Sequence, residues 1–209
     1  MEPYPFSYGY ERYPRYAVSY DQADIASDAV DCDRTTVENG VEIKITTPAF
    51  EFFSGTVTDI QCIAESRSDR RDFCLLTVMN DSNEIVTFRV SKNTLFIDCI
   101  PIEVGTEVTG YYRADAPIPM IYPPQYPIRV LAVNLAGRYI IADYFNYYLT
   151  TPDSTVTLSI TNNTWTINEL GIRTCDSLSC QNLVVIFSTP LVSIPQIITP
   201  NVVIALEED

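Results

Sequence analysis

Val86-Thr-Phe-Arg-Val-Ser-Lys-Asn-Thr-Leu-Phe-Ile97 returns in the same rhythm as Val156-Thr-Leu-Ser-Ile-Thr-Asn-Asn-Thr-Trp-Thr-Ile167. Each copy is an alternating strand, a short polar turn ending in Asn-Thr, and a second apolar run. One such match is within reach of β composition alone. A second block in the same order is not, and the chain supplies one. Ile118-Pro-Met-Ile-Tyr-Pro-Pro-Gln125 precedes Ile128-Arg-Val-Leu-Ala-Val133, and Ile194-Pro-Gln-Ile-Ile-Thr-Pro-Asn201 precedes Val202-Val-Ile-Ala-Leu206. With EVTGYYRA set against LVVIFST, the offset grows from about 70 to about 76, which places an insertion in residues 168–180. The expectation is two related β domains in tandem.

Working outward, residues 51–135 read as short strands broken by turns, with prolines confined to loops and strand ends. No segment keeps a helical period over three turns. The strand economy predicts an all-β fold of two tandem OB-like, Greek-key barrels, residues 51–135 and 136–209. A seven-strand sandwich is the rival for the first. Gly55 and Gly110 fall inside strand patterns, where small barrels bend or bulge. Residues 1–50 read as an extended N-terminal arm. Its start carries Tyr4, Tyr8, Tyr10, Tyr13, Tyr16 and Tyr20 with little aliphatic matter, and builds no core alone. The arm ends in a detached strand, Val41-Glu-Ile-Lys-Ile45, announced by the hairpin signal Asn39-Gly40. Val41, Ile43 and Ile45 are its apolar side and the expected assembly strand.

Of the 209 residues, 19% are charged, and the net charge is −14. Nucleic acids are bound by Lys and Arg that displace counterions, and anionic membranes attract the same residues. Neither is an expected partner. No run of apolar residues is long enough for a transmembrane helix. The first twenty residues lack the basic and apolar regions of a Sec signal, so release through lysis of the producing cell is the expected route to the outside. Cytoplasmic residence is the alternative.

Histidine is absent. That removes the usual proton carrier at neutral pH and the commonest metal ligand. No nucleophile elbow, triad or phosphate-binding glycine loop is present. No catalytic residue, cofactor or metal centre is expected. Asp31, Asp33 and the tail Glu207-Glu-Asp209 leave a weak case for calcium, without an EF-hand loop. The aromatics Tyr111, Tyr112, Tyr144, Phe145, Tyr147, Tyr148 and Trp165 suggest a stacking platform, or simply packing on alternate strand faces.

The six cysteines leave alternatives open. Cys62 and Cys74 stand equidistant from a hairpin tip near Ser68, as a cross-strand disulfide or as two buried small hydrophobes. Cys175 and Cys180 suggest a loop-closing disulfide, or free thiols. Cys32 and Cys99 have no local partner, so each is a candidate intermolecular cross-link or an idle thiol.

The segment from Val104 to Val133, above all residues 116–124, resembles small two-domain β proteins of spore-forming Firmicutes, chiefly clostridia. The resemblance runs from about Phe53 to Leu206. It implies a host and an OB-like fold, and transfers no catalytic residue. Together these readings predict a structural subunit of an extracellular fibre or spore-surface appendage. Its partners are copies of itself, joined head-to-tail through the arm. The competing expectation is a soluble tandem binding module for a ligand, carbohydrate or protein. Its pocket would lie in residues 116–127 and be lined by Tyr111, Tyr122 and Tyr126.

Overall fold

The computed structural model describes residues 32, 35–38, 41–44, 48–63 and 73–207 of the chain. They are all-β, with no α-helix among them. Two short strands come first. β1 (Thr35–Glu38) pairs antiparallel with β2 (Val41–Lys44), and Glu38 opposite Val41 leaves Asn39-Gly40 between the paired ends. Among the described residues this hairpin joins none of the larger sheets.

The first repeat is a meander of β3 (Phe50–Ile63), β4 (Phe73–Met79) and β5 (Ile85–Ser91). The first half of β3 turns to β7 (Glu107–Arg113) and the second half to β4. At the changeover Gly55 is obligatory, because a Cβ there would sit 2.4 Å from the Met79 carbonyl oxygen. β8 (Gln125–Pro127) runs parallel to β5, and β9 (Val130–Val133) antiparallel to β7. Only Ile128 and Arg129 separate them, and their amides donate to Arg89 O and Tyr111 O. Pairing therefore runs from β9 through β7, β3, β4 and β5 to β8, and the chain itself links β8 to β9. β6 (Leu95–Phe96) lies on the other side of β9.

The second repeat reuses this plan. β10 (Tyr139–Phe145) pairs with β13 (Gln181–Phe187) as β3 does with β7, and β13 pairs with β15 (Val202–Ala205) as β7 does with β9. β12 (Trp165–Asn168) runs parallel to β15, and β11 (Val156–Leu158) parallel to β14 (Gln196–Ile198), matching β6–β9 and β5–β8. β4 has a vestige in Leu149, whose carbonyl accepts from Leu158 N, and Thr151, whose amide donates to Val156 O.

Hydrogen bonds fix the repeat register. Thr94 Oγ1 donates to Ile128 O at 2.7 Å, and Thr164 Oγ1 to Pro200 O at 2.9 Å. Leu95 N donates to Arg129 O, and Trp165 N to Asn201 O. The offset is thus 70 for β5 and β6 and 72 for β8 and β9. Arg129 N to Tyr111 O matches Asn201 N to Ile186 O, so β7 and β13 are offset by 75. The sequence alignment of these two strands, and of Ile118-Pro with Ile194-Pro, is therefore corrected. The counterpart of Ile194-Pro195 is Tyr122-Pro123, and both bonds are cis. A slip of one residue exchanges the faces of a strand, which is why a composition match misplaces β13.

Each repeat encloses its own core. Val78, Phe88, Val108 and Leu131 lead the first, and Phe145, Leu183, Val185, Phe187 and Val203 the second. A third cluster lies between them, with Phe50, Tyr111, Val130, Val184 and Ile204 at its centre. β13 is buried on both faces: Leu183, Val185 and Phe187 turn to the second core, and Val184 and Ile186 to the seam. A strand covered on both sides reads as a continuous apolar run, and Leu-Val-Val-Ile-Phe is one. Equivalent positions of the two repeats belong to this one cluster: Val130 and Val202, Tyr111 and Ile186, Ile97 and Ile167. The two repeats present the same face to each other, as the halves of an isologous dimer do.

Candidate functional site

Four polar links tie the seam. Tyr111 Oη donates to Ile140 O at 2.8 Å, and Ala49 N to Asp143 Oδ1 at 2.6 Å. The Arg138 guanidinium grips both Asp98 oxygens at 2.6 and 2.7 Å. Arg129 of the first repeat reaches Glu169 and the Glu207 carbonyl of the second. Burial pushes the Tyr111 phenol well above its usual range, so it stays a neutral donor. The Tyr112 phenol is raised too, first by burial and then by Glu51, which accepts its hydrogen bond at 2.9 Å.

Where the seam opens, it leaves a cleft of about 450 Å³. Its floor is the outer face of β3, β7 and β9. The pairing register sets Phe52 beside Tyr111 and, one same-face step along, Ser54 beside Thr109. The two rings stand 5.8 Å apart. Ser54 Oγ and Thr109 Oγ1 are 2.7 Å apart, and Thr109 Oγ1 donates to Asn134 Oδ1 at 2.7 Å. The floor therefore has an aromatic row and, about 7 Å away, a hydroxyl–hydroxyl–amide row. Tyr139, Ile141, Leu191, Thr151 and Thr155 also line it. Both charged groups in the lining, Arg138 and Asp143, are engaged in holding the seam.

None of residues 116–127, where a pocket was expected, lines this cleft. Tyr111 lines the cleft, but Tyr126 stacks on Tyr112 at 4.2 Å against the first core, and Tyr122 is 86% exposed. The expected stacking platform is dispersed as well. Tyr112 and Phe145 sit in different cores, Tyr147 and Tyr148 meet edge to face, and Trp165 lies under Arg173 at 4.8 Å. Alternation sends neighbouring strand residues to opposite faces, so proximity in sequence did not gather them.

Cys62 and Cys74 are direct cross-strand partners and form a disulfide. The pairing of Cys175 with Cys180 is corrected. Leu178 is buried in the second core between them, which leaves Cys175 exposed and free, and Cys180 bonds to Cys32 instead. Their Cα atoms are 5.6 Å apart, within bridging range. Cys32 is thus an intrachain tether rather than a cross-link between chains. Cys99 remains free and exposed. Cys99 and Cys175 occupy equivalent connections, β6 to β7 and β12 to β13.

Val41 and Ile43 lie in β2, while Ile45 and the six arm tyrosines fall outside the described residues. So do Asp31, Asp33, Glu208 and Asp209 of the acidic groups weighed for calcium. No metal-binding group of His, Cys, Asp and Glu occurs among the described residues. Sequence reading missed β1. Asn39-Gly40 needs a strand on each side, so Thr-Thr-Val-Glu before it was the available signal. Comparison with known proteins finds no matching family, no matching curated protein and no matching solved structure.

Proposed function

We propose that this chain is a structural subunit of an extracellular fibre or spore-surface appendage, joining copies of itself head-to-tail through its N-terminal arm. The observation that carries this reading is the β1–β2 hairpin, whose strands, among the described residues, pair only with each other. A lone two-stranded hairpin is marginal in water. Its outer edges are templates for a further strand. The Cys32–Cys180 tether fixes the base of the arm to the body, so a docked hairpin would transmit load. A head-to-tail contact that does not close makes a filament.

Each repeat is read as a small OB-like Greek-key barrel, the second one shortened. The circuit in which the third strand runs parallel to the last supports this. Two disulfides fit an oxidising, extracellular setting. The proline-rich connections of both repeats expose Met120 and Tyr122, and Val192 and Ile194, which adds apolar surface for packing between copies. The test is light scattering on the full chain over a concentration series, beside Ile43→Pro, which removes a ladder donor from β2. Concentration-dependent oligomers lost in Ile43→Pro, with unchanged circular dichroism, support the proposal. A monomer at every concentration removes it.

The cleft favours a second reading, a soluble tandem OB-like binding module. A ligand that raises Tm without changing the mass distinguishes it from assembly.

A further inference from the structure

We propose that the cleft between the repeats is a binding site for a neutral sugar ring. The proposal deepens the second reading above, and it stands equally if copies polymerise. The cleft has the size of a small-ligand site. Its charges are committed: Arg138 to Asp98, and Asp143 to the Ala49 and Tyr144 amides. Arg138 Nε is buried without a hydrogen-bond partner, but the guanidinium charge is already balanced by Asp98; an ionic ligand would be desolvated without meeting an uncompensated counter-charge, so a neutral one is selected. A purely apolar ligand fails for the opposite reason, because it would cover the Ser54–Thr109–Asn134 row and leave those groups short of partners.

A sugar ring matches both rows at once. Phe52 is 65% exposed on a floor whose other aromatics, Phe50 and Tyr111, are buried, so one ring face is open for stacking. The electron-rich face of an aromatic ring attracts the C–H groups of a pyranose. The polar row has a direction. Thr109 gives its only hydroxyl proton to Asn134, so Ser54 must donate to Thr109. That leaves the lone pairs of Ser54 Oγ to accept, and the Asn134 amide N–H groups to donate, toward a ligand hydroxyl. The rows lie about 7 Å apart, the reach from a ring face to hydroxyls on its edge.

The test is saturation-transfer NMR on the full chain with maltose, cellobiose and N,N′-diacetylchitobiose, and with p-cresol as a neutral aromatic. Transfer to at least one of the sugars is expected. It should fall roughly tenfold in affinity in Phe52→Ala, fall less in Asn134→Ala, and stay unchanged in Phe96→Ala, an exposed aromatic outside the cleft. Circular dichroism verifies that each variant is folded. No transfer to any sugar, or transfer indifferent to Phe52→Ala, overturns the proposal. Transfer to p-cresol alone, lost in Phe52→Ala, overturns it while the binding-module reading survives.

Discussion

The two repeats share every strand pairing except the two made by β4, and the exception divides framework from addition. In the first, β3 extends for 14 residues and returns through β4, locked by Cys62–Cys74. In the second, β10 stops after 7 residues, and Leu149 to Thr151 stand in for β4. The shared part is the crossing of β5 and β6 over β8 and β9, and its counterpart. The long hairpin is an appendage to that framework. A compensating pair of residues shows how each repeat fills its core. Phe88 of the first corresponds to Leu158 of the second, and Gly110 to Val185. A Cβ on Gly110 would lie 2.7 Å from the Phe88 ring. Large with small in one repeat answers medium with medium in the other.

The largest expected effect concerns the two disulfides. Cys32→Ser releases a closure of 148 residues and should cost about 5 kcal/mol, whereas Cys62→Ser releases 12 and should cost about 3. Urea unfolding with tryptophan fluorescence reads both, and equal losses would contradict the loop-entropy account. Next, Gly110→Val alone should destabilise by roughly 3 kcal/mol through overpacking. Adding Phe88→Leu should recover at least half of that, because the pair then copies Val185 and Leu158. Additive losses in a double-mutant cycle would break the equivalence of the two cores.

Thr94→Val and Thr164→Val should each cost about 2 kcal/mol, since each buried hydroxyl both donates across the crossing and accepts a turn amide. A clear inequality would mean that only one crossing carries its repeat. The smallest effect is with pH. The raised Tyr111 and Tyr112 phenols give stability that is full below the ordinary value of 10.0 and lost as pH rises above it. Their counterparts, Ile186 and Phe187, have no proton to lose. Alkaline loss should therefore belong to the first repeat and the seam, at no more than about 1.4 kcal/mol per pH unit for each phenol. Tyr111→Phe should flatten that slope in a pH series of melting curves.

Much of this was legible in residues whose neighbours in space are neighbours in sequence. The Asn-Thr turns announced the repeat, because Thr94 and Thr164 must turn the chain and cross it at one point. Hairpin symmetry set Cys62 opposite Cys74 and left open whether they bond. The rest depended on long-range closure. Cys180 finds Cys32 across 148 positions, and no spacing rule reaches that far. The cleft was invisible because it is made by the outer faces of strands, and Phe52, Ser54 and Asn134 carry no motif. The slipped register of β13 came from its burial on both sides, which erases the alternation that fixes a strand's faces.

Electron microscopy of the purified full chain, with and without reductant, tests the functional account most directly. Regular fibres built by strand addition are expected in both conditions. Shorter or thinner fibres under reductant, reproduced by a Cys99→Ser/Cys175→Ser double variant, would assign the two exposed thiols to cross-linking. Monodisperse particles of single-chain size at high concentration in both conditions would contradict assembly, and leave the cleft as the functional centre of the molecule.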